Sequence, residues 1–157
     1  MAWTDSRIFS QTIIDMMLNT AALDFHAAAK VALYTNSITP DQDCTAANSA
    51  FNAGQWATAQ EVTDAQGWPS GGNTLGSPAV TLATPPNVIK WDADDTASAD
   101  NHSTIAACYG VLIYQDPLTT PVADQGLCFC AFSGAASVTA GTFTVSWPAA
   151  GIATITA

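Results

Sequence analysis

The second half of the chain alternates apolar with small polar residues, and this pattern limits the possible folds more than any other feature. In the segment 142–147, Phe143, Val145 and Trp147 fall on one side of an extended backbone, and Thr and Ser fall on the other. Successive strand residues point to opposite faces, so the pattern predicts a strand with one buried face. Comparable short segments, separated by turns, lie at 30–35, 79–83, 88–91, 103–114, 127–132, 137–139 and 152–156. Together they predict a mainly β chain folded as an antiparallel, jelly-roll-like β-sandwich.

The N-terminal segment, residues 1–25, has a helical pattern instead. Phe9, Ile13 and Met16 recur at intervals of four and three residues, which places them on one face of a helix that ends near residue 20. An acidic residue before them, Asp5, favours the positive end of such a helix. We expect the apolar face to pack beneath the sandwich or against a partner.

A single domain, 1–157, accommodates all of these segments. The helical segment is followed by the β-sandwich over 26–157, which contains a long loop region at about 42–77. Three Gly and one Pro at 67–72 argue against regular structure there, and we expect Trp68 to fix this loop to the core. Residues 84–87 have the composition of a hairpin turn.

Charge is scarce and strongly unbalanced. The only cations are Arg7, Lys30 and Lys90, against thirteen carboxylates, and the net charge is −10. Binding to nucleic acid or to an anionic membrane surface requires clustered Lys and Arg, so neither partner is expected. The sequence has neither an export signal nor a run of about 20 apolar residues that would cross a membrane. It predicts a chain made in the cytoplasm, with its four cysteines as free thiols.

Two groups of residues allow a metal site without requiring one. Asp92, Asp94, Asp95 and Asp100 lie close together and offer the carboxylate oxygens that calcium prefers, but Asp-rich loops are commonly solvated turns. Cys128 and Cys130 lie two apart on a strand, with Cys108 on a possible neighbour, which leaves zinc possible. We favour three small core side chains instead, and predict no metal and no cofactor.

No recognised catalytic motif is present, so we predict that the chain is not an enzyme. Glycoside hydrolysis requires a pair of carboxylates, often with Glu as the acid, and Glu61 is the only Glu. Four tryptophans could form a carbohydrate-binding platform, although tryptophans in a small β domain more often fill a core or an interface. They are Trp56, Trp68, Trp91 and Trp147.

A further signal comes from the order of several short segments, none of which is a chemical signature. The segments are 30–36, 39–41, 54–57, 61–62, 67–72, 92–97, 109–114, 121–126 and 137–147. In this order they resemble a family of virion proteins encoded by tailed phages of actinobacteria, and the resemblance covers the chain from about residue 2 onward. The resemblance implies a structural component of the particle, a capsid decoration or minor capsid protein located on the capsid surface. It also implies binding to the major capsid protein and assembly into a homotrimer.

Buried aromatic side chains and Arg dominate the energetics of protein interfaces. On this basis the expected contact residues are Trp3, Arg7, Phe9, Trp56 and Trp68. The alternative is a minor tail or tail-tip module that binds glycan of the host cell envelope through exposed Trp and Asp-lined loops.

Overall fold

The structure is a computed structural model that describes residues 3–83 and 87–156. The predicted hairpin turn at 84–87 therefore lies largely outside the described residues. The elements, in chain order, are β1 (Arg7–Ile8), α1 (Ser10–Leu18), β2 (Ala29–Tyr34), α2 (Ala46–Ser49), a 3-10 turn (Thr58–Gln60), β3 (Glu61–Val62), β4 (Asn73–Thr74), β5 (Gly76–Ala83), β6 (Val88–Asp94), β7 (Thr96–Ala97), β8 (Ser103–Gln115), β9 (Gly126–Gly141), β10 (Thr144–Val145) and β11 (Ala153–Thr156). None of the helices among these residues is long and apolar enough to cross a membrane.

A central antiparallel sheet organises the molecule. Its strand order is β1-β9-β8-β2-β3, with β4 paired to another part of β2. Val31 lies opposite Ile113 and Leu33 lies opposite Val111, so large aliphatic side chains meet across the middle of the sheet. Strands that are covered on both faces read as continuous apolar runs rather than as alternating ones. This explains why the second half of β8 and all of β2 except the half-buried Lys30 are buried.

A second, outer layer covers one face of the central sheet. It consists of the three-stranded sheet β11-β6-β5 and the short ribbon β7-β10. Trp91 from β6 and Val145 from β10 share a core with Val31 and Ile113 of the central sheet. The prediction of a mainly β chain with antiparallel sheets and few helices is confirmed, whereas the jelly-roll arrangement stays a prediction.

The other face of the central sheet is covered by the N-terminal residues and part of the predicted loop region. Trp56 is the centre of this aromatic core. Its ring lies 5.1 Å from Tyr34 and 5.7 Å from Trp3, and the Tyr34 hydroxyl donates a hydrogen bond to the Trp56 carbonyl (2.7 Å). Because edge-to-face aromatic pairs of this kind are favourable, a chain segment with little regular structure is held firmly.

The predicted loop region at 42–77 contains several short elements. The sequence indicates two of them, a possible helical turn over 46–53 and an extended piece at 61–63, which correspond to α2 and β3. The region includes α2, the 3-10 turn and the two-residue strands β3 and β4, each too short to give a periodic signal. Trp68 fixes the Gly-rich part as expected, since it is fully buried and its Nε1 donates to the Val31 carbonyl (3.1 Å).

The N-terminal helix is shorter than predicted. Residues Arg7 and Ile8 form β1 against β9, and α1 begins only after Phe9, whose extended backbone forms the N-cap. The helix ends at Asn19, which adopts the left-handed conformation with φ of 54°. Asn is one of the few residues that tolerates this conformation, and it closes helices for that reason.

Candidate interaction surfaces

Helix α1 contacts the rest of the protein through polar side chains. Thr12 is fully buried, and its hydroxyl donates to the Gly126 carbonyl (2.6 Å). Asp15 is only 6% exposed and accepts a hydrogen bond from the buried Gln125 side chain (2.8 Å). Gln11 (2.8 Å) and Thr20 (3.0 Å) also donate to its carboxylate. The bonds to Gly126 and Gln125 join the helix to the start of β9.

Burial raises the pKa of Asp15, but the hydrogen bonds from Gln125, Gln11 and Thr20 outweigh this effect. The pKa of the carboxyl is therefore lowered below its usual value of 3.8. A buried carboxylate that accepts three hydrogen bonds is stable in its charged form. Asp15 consequently stays ionised at neutral pH and acts as the attachment point of the helix.

The opposite face of α1 exposes large apolar side chains. Met17 is 81% exposed and Leu18 is 66% exposed, with Ile14 and Met16 partly exposed beside them. We call these four residues the helix surface. Of the two alternatives for the apolar stripe, packing beneath the sandwich is wrong for Met16, because Thr12 and Asp15 occupy the inward face. Packing against a partner stays a prediction. The inward face is polar because Gln125 and the Gly126 carbonyl require hydrogen-bond partners when buried.

Two carboxylates lie at the N-terminal end of α1. The hydroxyl of Ser10, the first residue of α1, donates to the carboxylate of Asp43, and the Ser10 N–H donates to the Gln42 carbonyl (3.0 Å). The Asp43 N–H in turn donates to the carboxylate of Asp41 (3.0 Å). Asp43 and the neighbouring Asp41 thus lie at the end of α1 that precedes the helix surface.

A second apolar surface lies at one end of the outer sheet. Trp91 faces the core, where its ring lies 4.5 Å from Phe25 and its Nε1 donates to the Phe25 carbonyl (2.8 Å). Ile89 lies two residues before Trp91 on the same strand, so both side chains are on the same side of the sheet. Its directly paired neighbours are Leu82 on β5 and Ile155 on β11.

This row of three aliphatic side chains extends beyond the part of the core that Phe25 covers. Leu82 is 73% exposed, and Ile89, Ile155 and the adjacent Val80 are also well exposed. We call Val80, Leu82, Ile89 and Ile155 the sheet-end surface. The other face of the same strands is polar, with Thr81, Lys90 and Thr154 in register.

Four of the five expected contact residues lie in the interior. Trp3, Phe9, Trp56 and Trp68 are each at most 2% exposed, which corrects the expectation that they contact a partner. Large aromatic side chains are the main source of core as well as interface energy, so residue type alone does not separate the two roles. The fifth, Arg7, is exposed and lies 3.7 Å from Asp5.

The tryptophans do not form an exposed platform for carbohydrate. Trp56, Trp68 and Trp91 are buried, and each packs against another aromatic ring. Trp147 is partly exposed, and its indole N–H donates to the Asp94 carbonyl (3.1 Å). Of the four tryptophans considered for glycan binding, only Trp147 therefore exposes part of its ring.

The acidic segment forms strand and turn contacts. The Asp92 carboxylate accepts from Lys90 Nζ (2.8 Å), and Asp95 accepts from Ser146 Oγ (2.8 Å) and from the Trp147 N–H (3.0 Å). Asp100 accepts from Ser103 Oγ (2.7 Å). Within residues 3–83 and 87–156, no three His, Cys, Asp or Glu side chains are grouped to hold a metal ion.

The cysteines behave as core thiols. Cys108 is buried, its Sγ donates to the Ala136 carbonyl (3.3 Å), and burial raises its pKa to about 12. Cys128 is buried as well, and burial raises its pKa well above the usual value. The interpretation of these residues as small core side chains agrees with their positions, with Cys130 half-buried beside them.

Glu61 also has a local structural role. Its carboxylate accepts from Ser70 Oγ (2.7 Å) and from the Gly71 N–H (2.8 Å), which ties β3 to the Gly-rich loop. Partial burial raises its pKa in spite of these two bonds.

Comparisons with known proteins identify no relative of this chain. No family model, no curated protein and no solved structure matches this chain.

The sequence did not predict the helix surface or the sheet-end surface. The alternation of Val80 and Leu82 with Ala and Thr does signal an apolar strand face, but local sequence does not show where the covering layer ends. For α1, the consecutive apolar residues 16–18 are the available signal, because three adjacent residues cannot all face one core.

Proposed function

We propose that this protein is a non-enzymatic structural protein of a phage particle that decorates the outer surface of the capsid. It binds the major capsid protein through the helix surface. The observation that supports this most strongly is the orientation of α1, whose polar side is buried and whose apolar side is exposed. The virion assignment itself comes from the resemblance of the ordered sequence segments to phage virion proteins.

The helix surface has the properties of a docking site. Buried polar anchors at Thr12 and Asp15 hold α1 in one position, so little ordering is needed on binding. Burial of the Met17 and Leu18 side chains in a partner contributes on the order of 1–2 kcal/mol each. A site of this modest strength is sufficient when many copies bind a repetitive lattice and reinforce one another.

Charge defines the complementary surface on the capsid. Each of the three cations of this chain lies close to one of its own carboxylates, in the pairs Arg7–Asp5, Lys30–Asp116 and Lys90–Asp92. Asp41 and Asp43 lie at the N-terminal end of α1, where Ser10 donates to Asp43. The partner surface therefore has an apolar groove bordered by basic groups.

The remaining proposals concern the setting of the protein. Neither nucleic acid nor a membrane is proposed as a partner, and the chain is made in the host cytoplasm and assembles as a homotrimer on the capsid. The alternative of a glycan-binding tail module requires exposed tryptophans, but Trp56, Trp68 and Trp91 are buried. A stained gel of whole virions separates the two, since a capsid decoration protein is present in hundreds of copies and a tail module in tens.

Uptake by capsids tests the proposal. Capsids that lack this protein are mixed with purified chain over a range of concentrations, and bound protein is quantified after sedimentation. We expect saturable uptake in a fixed ratio to the capsid protein, reduced at least tenfold by Met17→Asp. The matched control is Thr81→Asp, which adds the same charge on the polar face of the outer sheet and leaves uptake unchanged. Lack of uptake of the wild-type chain, or equal uptake of the Met17→Asp variant, would contradict the proposal.

A further inference from the structure

We propose that the sheet-end surface binds a second copy of this chain, with the apolar row of one copy packed against the same row of the other. A contact between identical surfaces relates two copies by a twofold axis, so this contact is additional to the homotrimer of the proposed function. The inference itself rests on the outer sheet and on the distribution of charge.

The first support is the continuity of the core face. On β6, the side of the sheet that carries Trp91 in the core also carries Ile89. The opposite side of the same strands keeps its polar residues, among them Thr81 and Thr154, over the same rows. The division into an apolar and a polar face is thus typical of a sheet with one buried face. None of the described residues covers the sheet-end surface.

The second support is the absence of carboxylates from this part of the sequence. Between residues 76 and 91 the single charged residue is Lys90, whose ammonium lies 2.8 Å from the Asp92 carboxylate. Between residues 125 and 157, which include β11, there is no Asp, Glu, Lys, Arg or His. All thirteen carboxylates lie elsewhere in the chain.

This distribution favours a second copy over a different partner. Two copies with a net charge of −10 each repel, and they approach most easily through a surface that brings no carboxylates together. A basic partner would be drawn to the acidic surfaces, such as the border of α1 at Asp41 and Asp43. The sheet-end surface offers such a partner no charge to recognise.

The geometry of the outer sheet permits the contact. β5 and β11 form the two edges of the sheet, so Leu82, Ile89 and Ile155 span its full width. Two sheets stack face to face at about 10 Å with interdigitated side chains. Two sheet-end surfaces facing each other would continue the core of each molecule into that of its neighbour.

The mass of the free protein in solution tests the inference. Light scattering coupled to size exclusion, and sedimentation equilibrium, are run from micromolar to near-millimolar concentration without capsids. We expect the average mass to rise with concentration from 16.2 kDa toward twice this value. Leu82→Asp and, separately, Ile155→Asp should weaken this association at least tenfold, whereas Thr81→Asp on the opposite face leaves it intact.

A wild-type chain that stays at 16.2 kDa throughout, or variants that associate as the wild type does, would overturn the inference. Circular dichroism establishes that each variant is folded, which we expect because Leu82 is 73% exposed. The Met17→Asp variant separates the two proposals. It should self-associate normally in this assay, so failure of capsid uptake and failure of self-association are distinct results.

Discussion

The helix surface and the sheet-end surface are both apolar and exposed, but they are held in place by opposite means. The helix surface is the outer side of an element whose inner side is a polar network of Thr12, Asp15 and Gln125. The sheet-end surface is the continuation of an apolar core that begins at Trp91 and Phe25. Exposed apolar side chains therefore arise here in two ways. In α1 the polar side of the helix is buried, which leaves its apolar side exposed. In the outer sheet the apolar face extends beyond the residues that pack against it.

Truncation of the Trp91 side chain has the largest expected effect. Trp91→Ala removes a buried ring and the hydrogen bond to the Phe25 carbonyl, which is expected to destabilise the protein by about 3–5 kcal/mol. Trp91→Phe keeps a ring in the site and should cost less. Both are measured by chemical denaturation. A cost below about 1 kcal/mol for Trp91→Ala would show that the outer sheet is held independently of this residue.

Removal of the charge at Asp15 tests the polar attachment of α1, with a smaller expected effect. Asp15→Asn should lower the free energy of unfolding at pH 7 by about 1–3 kcal/mol, since a carboxylate that accepts three hydrogen bonds is lost. Asp43→Asn, an exposed carboxylate beside the helix, is the matched control and should change stability by less than about 0.5 kcal/mol.

The same pair of proteins gives a pH dependence. The pKa of Asp15 is lower in the folded than in the unfolded protein, so its contribution is complete above the unfolded value of 3.8 and is lost as the pH falls through the folded value. The stability difference between wild type and Asp15→Asn should therefore shrink as the pH is lowered from 6 to below 3.8. A difference that is constant over this range would mean that Asp15 has the same pKa in both states.

Salt should affect the two surfaces in opposite directions, and this is the smallest expected effect. At 0.5 M salt, self-association through the sheet-end surface should strengthen a few-fold, because repulsion between two chains of charge −10 is screened. Capsid uptake should weaken a few-fold, because the proposed attraction of Asp41 and Asp43 to basic groups of the capsid protein is also screened. Parallel titrations of both assays provide the measurement. Equal responses to salt would contradict the assignment of different charge environments.

The sequence pattern predicted the parts of the fold that depend on local alternation. The strand at 30–35 and the antiparallel pair formed by 79–83 and 88–91 appear as β2 and as the core of β5 and β6. The strand predicted at 142–147 is reduced to Thr144–Val145, because only these two residues find a pairing partner, on β7. Pairing between distant segments decides strand length, and a local window contains no information on it.

The orientation of α1 was beyond local prediction for a similar reason. An apolar stripe predicts an inward-facing side only when the site that receives the helix is apolar. Here the receiving site contains Gln125 and the Gly126 carbonyl, which lie more than a hundred residues further along the chain. Likewise, Trp56 and Trp68 were expected at an interface because of their residue type, and their burial follows from long-range packing against Tyr34 and Phe143.

The contacts that hold α1 also determine when its exposed face can form. Arg7 and Ile8 pair with Phe129 and Cys128, while Thr12 and Asp15 bond to Gly126 and Gln125. During synthesis the N-terminal residues emerge first and must wait for these partners, so the native position of the helix is reached late. A chain truncated before residue 125 lacks Gln125 and Gly126, so it could not hold Met17 and Leu18 in their native positions. Under the proposed function, the helix surface would therefore form only on chains synthesised beyond residue 129, and shorter chains would be left out of assembly.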